Sequence, residues 1–106
     1  MINRFIYGEN ALRKGIYREA LNLTREGWYV MANRIPGFHS PPEIEGYIPD
    51  IYAVKDEKTY IIDLIYEGNE LNGMHSAHSS YAMHDKATEY NCWIVNSAGC
   101  RTTMIP

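Results

Sequence analysis

Apolar and polar positions along the chain mark out six stretches with the periodicity of regular structure. From Asn10 to Glu26, residues Leu12, Ile16, Ala20 and Leu23 recur at helical spacing and form one apolar stripe. Gly27 stands where a helix commonly ends. Trp28 to Ala32 reads as a short strand. Ile35 to Glu45 contains Pro36, Gly37, Pro41 and Pro42, which predicts a loop. Two apolar runs follow, about Tyr47 to Val54 and Thr59 to Tyr66, separated by the polar turn Lys55-Asp56-Glu57-Lys58. A connection that short predicts an antiparallel hairpin. Gly68 to Gly73 predicts a second loop, His75 to Tyr90 a second helix, and Cys92 to Asn96 a fourth strand. Arg101 to Pro106 carries no pattern. A helix between strands three and four implies a crossover and a parallel pair there. The expected fold is α/β, a mixed central sheet of about four strands flanked by helices, in the order α-β-β-β-α-β.

The central hairpin carries one carboxylate in each apolar run. Alternate strand residues share a face, so Ile48, Asp50, Tyr52 and Val54 lie together, as do Ile61, Asp63 and Ile65. If those faces coincide, Asp50 and Asp63 are neighbours. Like charges that close repel, and a divalent cation is one remedy. Hard oxygen ligands suit magnesium or manganese better than zinc. At about 100° per residue, Glu19 falls at the border of the first helix's apolar stripe instead of facing water. Alone it reads as an edge glutamate that snorkels out to water or pairs with an arginine; beside Asp50 and Asp63 it becomes a third candidate ligand.

Composition narrows the classes. The chain has 106 residues, 45% apolar and 22% charged, the balance of a single soluble domain spanning 1–106. No apolar run approaches the ~20 residues of a membrane span. The first residues lack a secretory leader's apolar segment, so a cytoplasmic location is the default. Cys92 and Cys100 form no C-x-x-C pair and read as free thiols. The net charge of -3 is unevenly distributed: residues 1–34 hold six basic residues against three acids. Arg13, Lys14 and Arg18 in that third are candidates for tracking phosphates, against the plainer reading of a solvated helix face.

The layout resembles the PD-(D/E)XK nuclease superfamily, and within it the archaeal-type Holliday junction resolvases. The resemblance rests on Lys14-Gly15-Ile16-Tyr17-Arg18-Glu19, Glu26-Gly27-Trp28-Tyr29-Val30, Pro49-Asp50-Ile51-Tyr52-Ala53, Tyr60-Ile61-Ile62-Asp63-Leu64-Ile65 and Trp93-Ile94-Val95. It implies a restriction-endonuclease-like fold and a metal-dependent DNA endonuclease, selective for branched structures. In that reading Glu19, Asp50 and Asp63 hold Mg2+ or Mn2+, the metal lowers the pKa of a bound water, and a homodimer addresses two strands of one DNA. The family's lysine, two residues after the second acid, is Ile65 here, which can neither donate a hydrogen bond nor supply charge. Lys86, on the predicted second helix, is the candidate replacement. The alternative is an inactive nuclease-fold module that binds nucleic acid or a protein partner. His75 and His78, about one helical turn apart, have a spacing that can bind zinc, but exposed or capping histidines are the plainer reading.

Overall fold

The computed structural model describes residues 4–69 and 73–106; residues 1–3, and residues 70–72 of the loop expected between Gly68 and Gly73, lie outside them. The elements run α1 (Arg4–Arg25), β1 (Tyr29–Ala32), β2 (Ile51–Lys55), β3 (Lys58–Tyr66), α2 (Gly73–Met83), β4 (Thr88–Val95) and β5 (Arg101–Ile105). The sheet order is β1-β2-β3-β4-β5. The pairs β1/β2, β2/β3 and β4/β5 are antiparallel, and β3/β4 is parallel across the α2 crossover. This is the α/β class expected, with a fifth strand added.

Local chemistry sets the boundaries. Helix α1 ends in a Schellman motif: Trp28 N–H donates to Leu23 C=O (3.0 Å) and Gly27 N–H to Thr24 C=O (3.1 Å). Gly27 takes the left-handed conformation this requires, with φ +93°. The β2–β3 turn is two residues long, Asp56 and Glu57, with φ +50° and +67°. Positive φ at both positions defines the primed turn that matches strand twist and fixes register. Strand β2 starts at Ile51, later than the apolar run predicts. Pro49 has no N–H to give a ladder, and Tyr47 instead closes a small bridge with Ile44.

The second helix stops at Met83 and does not reach Tyr90. Asp85 turns the chain, its carboxylate accepting from Ala87 N–H (3.0 Å) and Thr88 Oγ1 (2.9 Å). The next residues then join β3 as a strand. Strand β5 follows a turn built on Asn96, whose side-chain oxygen accepts from Ala98 and Cys100 N–H. Most of β5 is exposed, so no apolar alternation announced it.

The sheet has two differently used faces. Ile16, Ala20 and Leu23 of α1 pack on Val30, Ala32, Ile51, Ala53, Ile62, Leu64 and Val95. Alternation then sends Asp63 to the opposite face, which α2 covers.

Candidate functional site

Continuing the ladder by one residue from Ile51↔Ile62 places Asp50 directly across from Asp63. The Asp50 N–H donates to Asp63 Oδ1 (3.2 Å), and Leu64 N–H donates to Asp50 Oδ2 (2.8 Å). The two acids therefore tie the strands together through backbone donors.

Helix α2 supplies the partner. His78 and Asp63 are both fully buried, and His78 Nδ1 lies 2.6 Å from Asp63 Oδ2. His78 Nε2 lies 2.9 Å from the Tyr47 carbonyl. A carbonyl only accepts, so Nε2 carries a proton. Tyr90, on β4, donates its hydroxyl to Asp63 Oδ2 (2.9 Å), and His75 Nδ1 stands 3.2 Å from the same hydroxyl. An ionised Asp63 and a doubly protonated His78 satisfy this network: Asp63 accepts from Asp50, Tyr90 and His78. Burial lowers the His78 pKa, but the Asp63 bond and the Tyr47 carbonyl outweigh it and hold the imidazole above its ordinary value. Burial pushes the Asp50 carboxyl up to about 7; the Leu64 N–H opposes this, the Asp63 charge adds to it and His78 offsets it. Burial also raises the Tyr90 hydroxyl and pushes the Cys92 thiol up to about 11.

Both shifts make the folded state less stable as pH rises. Asp50 loses its proton near 3.8 when exposed and near 7 in the fold, so the cost of its charge grows across that interval and is complete above it. The stabilisation from His78 is full below its ordinary value of 6.5 and is lost as pH passes the raised folded value. Thermal melts between pH 5.5 and pH 8.5 are expected to show a falling Tm. Asp50→Asn, which can still accept from Leu64 N–H, should remove much of that slope and stabilise the protein at pH 8.5 by about 1 kcal/mol or more, ~4–8 °C. An unchanged slope in the variant would refute the assignment.

The remaining residues singled out from the sequence lie elsewhere. Glu19 is buried, but on the α1 face, where Oε1 meets Arg101 Nε at 3.0 Å. The sheet separates it from Asp63. Arg101 also stacks on Trp93, 4.6 Å from the ring centre. Lys86 is exposed in the turn before β4. Thr88 is in register with Thr59, so Asp63 lies four residues further along, about 13 Å at the usual strand rise. The structure does not bring Lys86 to the acids. A divalent ion needs free, converging oxygens; Asp63 has both oxygens occupied and Glu19 is across the sheet. Among the described residues, no group of three His, Cys, Asp or Glu side chains is placed to hold a metal ion. As arranged, these residues do not fit Mg2+ or Mn2+. His78 likewise has both ring nitrogens engaged and offers nothing to zinc.

The basic candidates do come together. Arg13, Lys14 and Arg18 line a groove of about 530 Å³ along α1, with Arg34 from the turn after β1. Tyr17 lies between them in sequence and is 44% exposed. Leu21, Ile35 and Pro36 add apolar surface, and among the described residues no acid lines the groove. The spacing explains the helical share: residues 13, 17 and 21 form one row, and 14 and 18 the next. Arg18 is anchored by Nη1, which donates to Gly99 C=O (3.0 Å) and contacts Cys100 Sγ (3.3 Å). Both cysteines are free thiols. Arg34 holds φ +59°, uncommon for a residue with a Cβ.

Tyr90 and Arg34 were not singled out, and His78 was, but only for zinc. His78 shares the helical spacing of His75, but its destination depends on α2 covering the Asp63 face. Arg34 was counted among the basic residues, yet nothing local ties it to α1. Comparisons with protein-family models, with curated proteins and with solved structures returned no match. The class is thus set by architecture: an α/β domain with a five-stranded mixed sheet and helices packed on it.

Proposed function

We propose that this protein is a nucleic-acid-binding module on a nuclease-like scaffold, one that holds DNA without cleaving it. The observation that carries this reading is the α1 groove, where four exposed cations converge and no acid lines it among the described residues. Phosphate contacts of this kind supply sequence-independent affinity by releasing counterions. The acid pair supports the non-cleaving form: Asp63 is spent on His78, Tyr90 and Asp50, and Ile65 stands where the nucleases that the layout resembles carry lysine. The overall charge of -3 leaves the basic groove as a local feature on an acidic chain, which favours a defined contact over general attraction to polyanions.

Fluorescence anisotropy with labelled DNA tests the reading. Binding should weaken with salt, and Arg13→Glu or Lys14→Glu should each reduce affinity about tenfold at low salt and flatten the log–log salt slope by about 1. Charge reversal at exposed Lys58, at the far hairpin turn, serves as the control. No difference between groove and control variants would defeat the proposal. Incubation of branched and linear DNA with Mg2+ or Mn2+ completes the test: metal-dependent cleavage abolished by Asp50→Asn would restore the endonuclease reading.

A further inference from the structure

We infer that the α1 groove takes a single strand of DNA, with Tyr17 as the platform on which an unpaired base stacks; this rests on the nucleic-acid-binding reading above. Cations alone would suit any phosphate backbone, so the discriminating features are the other lining groups. Tyr17 stands four residues from Arg13 and from Leu21, in the same helical row. Its ring is exposed at 44% and no described aromatic partner occupies it. A duplex keeps its base faces stacked internally and would leave this ring and the apolar groups unused. An unpaired strand presents a π-face and a sugar with every phosphate, which is what a ring beside cations recognises.

The dimensions agree. A volume of about 530 Å³ lies in the range of roughly 300–1,000 Å³ that seats organic ligands, enough for a base with its sugar. Leu21, Ile35 and Pro36 present apolar surface to that sugar. Deoxyribose packs its C2′ methylene on this apolar surface, whereas ribose would turn a 2′-hydroxyl toward it. Arg18, fixed through Nη1 by Gly99 and Cys100, retains its other N–H groups to meet phosphate and needs little ordering on binding.

Anisotropy titrations with labelled oligo-dT, the matching RNA oligomer and a DNA duplex separate the outcomes. Oligo-dT is expected to bind most tightly. Tyr17→Ala should weaken it roughly five- to 150-fold, with an unchanged melting temperature because the side chain is a surface one. Tyr17→Phe should retain binding, since the ring remains. Tyr29→Ala, an exposed tyrosine on the opposite sheet face, should have no effect. Equal or tighter binding of the duplex, or no loss with Tyr17→Ala, overturns the single-strand inference while the charge-based reading stands. Tighter binding of RNA overturns the deoxyribose assignment. Absence of binding to all three overturns both this inference and the proposed function.

Discussion

Replacing Asp63 with alanine is expected to destabilise the protein by about 3–5 kcal/mol, the range seen when one partner of a buried charged pair is removed. Three donors lose their acceptor together: the His78 imidazole at 2.6 Å, the Tyr90 hydroxyl at 2.9 Å and the Asp50 N–H at 3.2 Å. His78 must then shed a proton or remain an uncompensated buried cation. A domain of this size shifts by ~4–8 °C per kcal/mol, so the melting temperature should fall by more than about 12 °C. The double variant Asp63→Leu/His78→Leu removes both charges and should recover part of the loss, because apolar replacements of buried pairs are often near neutral. A double-mutant cycle at pH 6 reads the coupling. A cost below about 1 kcal/mol for Asp63→Ala would mean that the pair does not hold α2 to the sheet.

The second large effect is expected at Gly99, in the turn between β4 and β5. Its φ is +78°, and a Cβ there would stand 2.8 Å from the Ala11 carbonyl oxygen, 2.8 Å from Lys14 Cβ and 2.9 Å from the Gly15 nitrogen. Two of those three atoms are helix backbone and cannot swing aside. Gly99→Ala thus combines left-handed strain of about 1–2 kcal/mol with overpacking of about 1–3 kcal/mol, for a loss of about 2–5 kcal/mol. Gly37→Ala is the matched control: φ is +90°, but no atom of the described residues lies within 4 Å of the added carbon, so only the strain remains. Urea denaturation should show a lower midpoint for Gly99→Ala than for Gly37→Ala at similar slope. Equal midpoints would show that the turn can lift off α1 freely. Because Gly99 C=O also accepts from Arg18, the same substitution should weaken DNA binding, linking the turn to the groove.

The hairpin shows how far local pattern reaches. Alternation put Asp50 and Asp63 on defined faces, and the two-residue turn at Asp56-Glu57 fixed their register, so their adjacency needed only nearby residues. Glu19 shows where pattern stops. Its place at the edge of the apolar stripe was legible, and it is buried. Which side of the sheet α1 covers was not, because period-two alternation names two faces without saying which helix takes either. Lys86 fell outside the second helix for a different reason. The Asp85 side chain offers the backbone a turn that competes with helix propagation, and the following residues gain a parallel strand beside β3. Strand β5 had no signal, since an exposed edge strand has no buried face to write into its sequence.

Taken alone, the amino-acid sequence determined the type and order of six of the seven elements, all but β5, together with the antiparallel hairpin with its paired acids and the cationic face of the first helix. These follow from periodicity and turn chemistry, which act over a few residues. Only the tertiary structure decided that Asp63 is answered by His78 and Tyr90, that Glu19 belongs to Arg101 on the far face, and that Arg34 joins Arg13, Lys14 and Arg18 in one groove. Those outcomes depend on which surfaces are buried against each other. Burial is a property of the whole fold: the same carboxylate that a sequence marks as a metal ligand is, once α2 closes over it, the acceptor of a protein hydrogen-bond network.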